Sequence, residues 1–401
     1  MDNVRFTWPS RTKLWSLALL VIGVISLVLL MNQGNMQRVW ANHLHNSYFF
    51  LGIALAAMFF LALHTLAYGG WHVYIRRIPE ALTHFIPVGL LLILILLIGT
   101  KQHWHHLYHW ADADAMAHDE LLQWKQGFLN MGFFFKSFVA YTLIWVGITF
   151  IYRRHSNSMD NDGKLSHYKS MKMWSAIWML LFAITSASMA WQWIMSIDAH
   201  WFSTMFGWYN VASLFVSCVC IITLVVLYLK RKGYFPNLTK SHLHDLGKYL
   251  FAFSIFWTYL WFSQYMLIWY ANIPEETYYF NYRLDNYKGM FFFNLIVNFL
   301  LPLLVLMIND AKRKERILVF TSVVLLFGHW IDFYLMIMPG ALGVEGADHH
   351  LHPANKLGLL DVGMALGYLG LFLGVIYFAL SRVNLYPTKD PYLKESLKHH
   401  A

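Results

Sequence analysis

Ten stretches of this chain are almost uninterrupted in apolar residues, and each is long enough to cross about 30 Å of hydrocarbon as a helix. They cover residues 14–31, 48–68, 81–100, 127–152, 173–196, 206–228, 246–272, 290–309, 317–338 and 357–380. In lipid every backbone N–H and C=O needs a partner within the protein, so an apolar run of this length without two-residue alternation reads as a helix. The expected fold is all-α: a polytopic membrane protein of ten transmembrane helices in one membrane domain. The connections 101–126 and 153–172 leave room for short interfacial helices and for no soluble domain.

Composition agrees, with 58% hydrophobic and 13% charged residues against about 25% charged in an ordinary soluble domain. Of the 30 Lys and Arg, 23 fall in the two termini and the alternate loops that share their side. Six lie in the intervening loops, and Lys136 alone lies deep inside an apolar run. This asymmetry places both termini in the cytoplasm, and it accounts for the net charge of +9 without nucleic acid. The first apolar run has no small-residue cleavage site after it and reads as a retained anchor. The 18 Trp and 23 Tyr gather towards helix ends, as interfacial belts do. Cys218 and Cys220 share one apolar run, which suits core packing rather than a disulfide or zinc framework.

Charge inside hydrocarbon costs roughly 3 kcal/mol or more per group, so intramembrane ionisable residues are the first functional candidates. Lys136 sits in GFLNMGFFFKSFVAYTLIW, about nine residues from the outer end, and is expected to face the bundle interior and pair with an acid. His329 and Asp332, in VVLLFGHWIDFYLMIM, are three apart and share a helix face at a similar depth. Together they suggest a proton relay or a polar head-group site, against the alternative of a structural triad that fixes helix register. Asp361 lies one turn into the tenth run, where the helix dipole alone favours a carboxylate. Asp198, His200, Glu275 and Glu276 lie at the outer ends of neighbouring runs. On the cytoplasmic side the candidates are His64, His84 and Asp245, with no chain of buried acids joining them to the outer group. His64 and His84 are the one arguable pair for a b-type haem. The outer loop KQHWHHLYHWADADAMAHDE offers His103, His105, His106, His109, His118, Asp112 and Asp114, with a spacing that matches no defined metal site.

The segments WQWIMSIDAHWFSTMFGWY (191–209) and LGKYLFAFSIFWTYLWFSQYMLIWYANIPEET (246–277) resemble those of the F membrane subunit of bacterial alternative complex III, within the polysulfide-reductase (NrfD-like) superfamily. The resemblance extends over the chain in length, ten-helix topology and orientation. It implies a bacterial inner-membrane subunit of a respiratory quinol:cytochrome c oxidoreductase that binds no redox cofactor of its own. Menaquinol or another quinol, iron–sulfur clusters and haem c would belong to the complex. The implied partners are a related NrfD-like membrane subunit, an iron–sulfur protein and multihaem cytochromes c. The implied role is proton translocation through polar residues, with Asp198, His200, Glu275 and Glu276 inside the matching motifs. Where many family members carry Glu followed by Pro, this chain has Asp198 followed by Ala199. The competing readings are a stand-alone proton-coupled secondary transporter and a haem b membrane anchor.

Overall fold

The structure, a computed structural model, describes residues 4–343 and 356–400. Ten long helices follow the ten apolar runs: α1 (Ser10–Asn32), α2 (Met36–Leu66), α3 (Phe85–Lys101), α4 (Met131–Asp162), α5 (Leu165–Trp193), α6 (Met205–Arg231), α7 (Lys240–Ala271), α8 (Lys288–Leu306), α9 (Glu315–Leu342) and α10 (Leu359–Arg382). Nine of these described helices, all but α7, are long and apolar enough to cross a membrane, α3 together with the preceding segment from Arg77. At 32 residues α7 extends about 48 Å at 1.5 Å per residue. Its Trp and Tyr residues, such as Trp257, Tyr259, Trp261 and Tyr265, lower its mean hydropathy. Among the described residues there is no strand, only an isolated bridge between Arg5 and Asn384.

That bridge, with the Leu385 N–H donating to Val4 O at 2.9 Å, holds the two tails together at one end of the bundle. The short helix Leu393–Leu397 then packs on the turn Gly70–Ile75 at that end. Here "inner" denotes the end carrying the tails and "outer" the opposite one.

Helices α2 and α6 form the centre and are the most enclosed. Helix α9 packs on both, α7 lies against α6, the α4–α5 pair leans on α2 and α3, and α1 leans on α10. The last contact is backbone to backbone, since a Cβ added at Gly23 would sit 2.3 Å from the Gly367 Cα. Small residues let membrane helices approach this closely.

Two N-caps move helix starts away from the expected boundaries. Asn35 accepts the Arg38 N–H at 3.0 Å, so α2 begins twelve residues before residue 48 and carries Arg38, Asn42, His45 and Asn46 into the interior. Asn130 caps α4 through the Phe133 N–H at 2.7 Å, which starts that helix at Met131 rather than at residue 127. Helix α8 is interrupted by a π segment, Ile296–Leu300, followed by Pro302. Proline has no N–H for the ordinary ladder, and the wider π turn absorbs that loss.

Candidate functional site

Asp332 of α9 is fully buried and receives a hydrogen bond from each of four neighbouring side chains. Tyr209 of α6 donates its hydroxyl to Oδ1, and Asn294 of α8 donates Nδ2 to the same oxygen at 2.8 Å. Ser213 of α6 donates to Oδ2 at 3.0 Å, and the Trp257 indole of α7 donates to Oδ2 at 2.9 Å. Two donors per oxygen fill the acceptor sites of an ionised carboxylate. None of the four is charged, and Asp332 forms no ion pair among the described residues. Asn298, one turn along the π-interrupted helix, donates to Asn294 Oδ1 at 2.6 Å and so fixes which way the Asn294 amide points.

His329 stands one turn from Asp332, with Nδ1 2.8 Å from the Ser213 hydroxyl and its ring edge-on to Trp257. Its Nε2 is buried without a partner among the described residues. The pairing of His329 with Asp332 expected from their three-residue spacing is therefore present, bridged by Ser213.

From the outer end, a vestibule of ≈ 200 Å³ is lined in part by Asp198, His200, Glu275, Tyr282 and Arg283. Arg283 also borders a second cavity of ≈ 20 Å³ that reaches Tyr209, Asn294 and Asp332, with room for about one water. The Arg283 guanidinium fills this neck. It donates to the carbonyls of Leu335 (2.8 Å), Tyr279 (2.8 Å) and Met336 (3.3 Å), pairs with Asp198 at 3.2 Å, and lies over the Tyr279 ring. Tyr279 in turn stacks on Trp201 at 3.8 Å. Asp198 thus belongs to the entrance, one arginine away from Asp332.

Other expectations change. Lys136 does not face the interior: it is exposed on the outside of α4 and has no hydrogen bond or ion pair among the described residues. The Asn130 cap explains this, because Lys136 falls only five residues, or about 8 Å, into the helix, within reach of the interface by snorkelling. Asp361 is buried, but as a structural ion pair. Arg38 grips it through Nε (3.0 Å) and Nη2 (2.5 Å), Asn42 adds a bond at 2.8 Å, and Asp361 caps α10 by accepting the Gly358 N–H at 2.7 Å.

His200 is half-exposed and bonds Asp119 at 2.5 Å. Although burial acts upward on the Asp119 carboxyl, the Leu122 N–H and the His200 ring hold it below its usual range. Glu275 is exposed, and Glu276 partly so, in the first turn of the short helix Pro274–Asn286, where the dipole favours them.

At the inner end, His64 is buried, bonded to Phe60 O (2.7 Å) and to the Tyr249 hydroxyl (3.1 Å). Asp245 is tied at 2.5 Å to both Lys248 and His399 of the C-terminal tail. His84 is exposed and bonds Glu80 O in the short helix Arg77–Leu82 that precedes α3, so the two histidines do not face each other as haem ligands would. The outer-loop histidines are likewise spread apart: His105 is buried against Trp40, while His118 bonds Asp114 O. Among the described residues no group of three or more His, Cys, Asp or Glu is placed to hold a metal ion.

Tyr209, Ser213, Trp257 and Asn294 were not singled out from the sequence. The one local signal was Asn294 and Asn298 four apart in MFFFNLIVNFL, two amides on one face of an apolar helix. No protein-family model matches the chain, and no characterised protein shows a significant sequence match to it.

Chemically, the two buried aspartates differ. Asp361 is locked by a bidentate arginine, so protonating it breaks an ion pair. Asp332 is held by neutral donors, so protonating it breaks no ion pair, and the Ser213 or Tyr209 hydroxyl can turn to accept the added proton.

Proposed function

We propose that this chain is a membrane subunit of a bacterial respiratory quinol:cytochrome c oxidoreductase of the alternative complex III type, and that it contributes an outer proton half-channel ending at Asp332. The observation that carries the reading is a buried carboxylate held by four neutral donors at the inner end of an outer approach. Protons exchange between the vestibule and Asp332 past Arg283 and the one-water cavity, and Ser213 passes the charge state on to His329. In this reading the chain holds no redox centre. Quinol, iron–sulfur clusters and haem c reside in the related NrfD-like membrane subunit, the iron–sulfur protein and the multihaem cytochromes c beside it in the inner membrane.

The test has two parts. The chain is expected to co-purify with haem c and iron–sulfur polypeptides; purification alone and colourless removes the complex. Within an assembled complex, Asp332→Asn is expected to lower the proton-to-electron ratio while subunit content is kept, and an unchanged ratio removes the half-channel.

The π segment in α8 beside Asn294 favours a second reading, a stand-alone proton-coupled transporter, because interrupted helices often line transport sites. Solute counterflow in proteoliposomes containing only this chain separates the two.

A further inference from the structure

Near the outer end, α1 is drawn onto α10 at the Gly23–Gly367 contact, and a slot of ≈ 490 Å³ remains between α1, α2, α3 and α10. Its walls include Val24, Leu27, Val39, Ile95 and Met364, with Val24 and Ile95 exposed at its lateral mouth. That size and apolar character suit an organic ligand that is mostly hydrocarbon. Its one polar pair is already satisfied. His43 Nε2 donates to Leu92 O at 2.9 Å, so Nδ1 is left to accept the Tyr368 hydroxyl at 2.5 Å, and Ser47 donates to the Tyr368 oxygen at 3.4 Å. The Trp40 indole N–H, buried without a partner among the described residues, is the one donor left in the lining, and a single ester carbonyl at the top of an acyl chain can accept it.

At its outer end the slot meets a second niche of ≈ 440 Å³, and Met36 lines both. This niche is polar and its lining holds no Asp, Glu, Lys or Arg; it is bounded by Gln33, Asn35, Gln37, Trp104, His105 and His106, at the depth where head groups lie. An apolar slot continuous with a neutral polar niche matches an amphiphile with one chain inside and a head of no net charge. We propose that this is a specific site for a zwitterionic phospholipid, with one acyl chain between α1 and α3 and its head group at the Gln33–Gln37 turn.

The test uses the full chain, purified in mild detergent, washed free of bulk lipid and supplied with phosphatidylethanolamine, with bound lipid counted by mass spectrometry. Wild type is expected to keep one phosphatidylethanolamine per chain. Val24→Trp and Ile95→Trp fill the slot from opposite walls, and each is expected to lower retention about tenfold, as displacing only one or two methylenes of buried chain would. Leu91→Trp, on the exposed outward face of α3 and outside the slot, is expected to retain the lipid. Matching thermal unfolding of the three variants establishes that they are folded. The proposal is overturned if wild type keeps no stoichiometric lipid, if either slot variant keeps it, or if the retained molecule is an anionic phospholipid or an isoprenoid quinone.

Discussion

Ser213 and His329 lie 2.8 Å apart, and the same hydroxyl donates to Asp332 at 3.0 Å. A serine has one proton to give, so with Asp332 ionised the imidazole must supply the proton on Nδ1, which leaves Nε2 as a bare, buried acceptor. The protonation of the carboxylate and the tautomer of the histidine are therefore one variable.

Ser213→Ala separates them. The variant leaves the His329 Nδ1–H buried without an acceptor and takes one of four donors from Asp332, at a cost of about 1–3 kcal/mol. Nitrogen-15 shifts of His329 are expected to report an Nδ1–H tautomer in the wild type and a mixture in the variant. An unchanged tautomer would show that the hydroxyl does not couple the pair.

Removing Lys136 is expected to do little. Because it is exposed and has no partner among the described residues, Lys136→Leu should leave assembly and the proton-to-electron ratio at wild-type values and change stability by no more than about 0.5 kcal/mol. Parallel measurements of coupling for Lys136→Leu and Asp332→Asn check this. A matching loss in both would restore the buried lysine that the sequence suggested.

Arg38→Ala leaves the Asp361 carboxylate buried and uncompensated, at a cost of about 3–5 kcal/mol. Arg38→Met combined with Asp361→Asn removes both charges and is expected to recover most of that loss in a detergent unfolding series. Failure of the double variant to recover would assign the loss to packing rather than charge.

Burial against Trp40 lowers the His105 side chain to about 4. The folded state thus binds this proton less tightly than the unfolded chain, whose histidine titrates near 6.5. Stability from His105 is full above about 6.5 and falls as the pH drops towards 4, by a total on the order of 3 kcal/mol. His105→Phe is expected to flatten the slope of stability against pH over that interval, measured by thermal unfolding from pH 7 to 4.

The spans were legible because hydrocarbon admits one solution to an apolar run, and the face shared by His329 and Asp332 followed from their spacing. What surrounds Asp332 was not, since Tyr209 and Trp257 look like belt aromatics and Ser213 like a packing residue until α6, α7 and α9 are brought together. Arg38 and Lys136 exchanged roles for a local reason. Caps at Asn35 and Asn130 shift two helix starts, which carries one cation inside and leaves the other outside. Hydropathy does not register a cap.

The glycine contact between α1 and α10 joins two spans that lie far apart in the chain. During synthesis α1 enters the bilayer early, and its main partner follows only after more than three hundred further residues have been made. Until Gly367 emerges, lipid or the insertion machinery must shield Gly23. Nascent chains arrested before α10 should therefore cross-link at Gly23 to those surroundings, and full-length chains should not. The α1–α10 contact then waits for α10 to be made, so a protein truncated after α9 keeps its buried carboxylate site but leaves Gly23 without its partner helix.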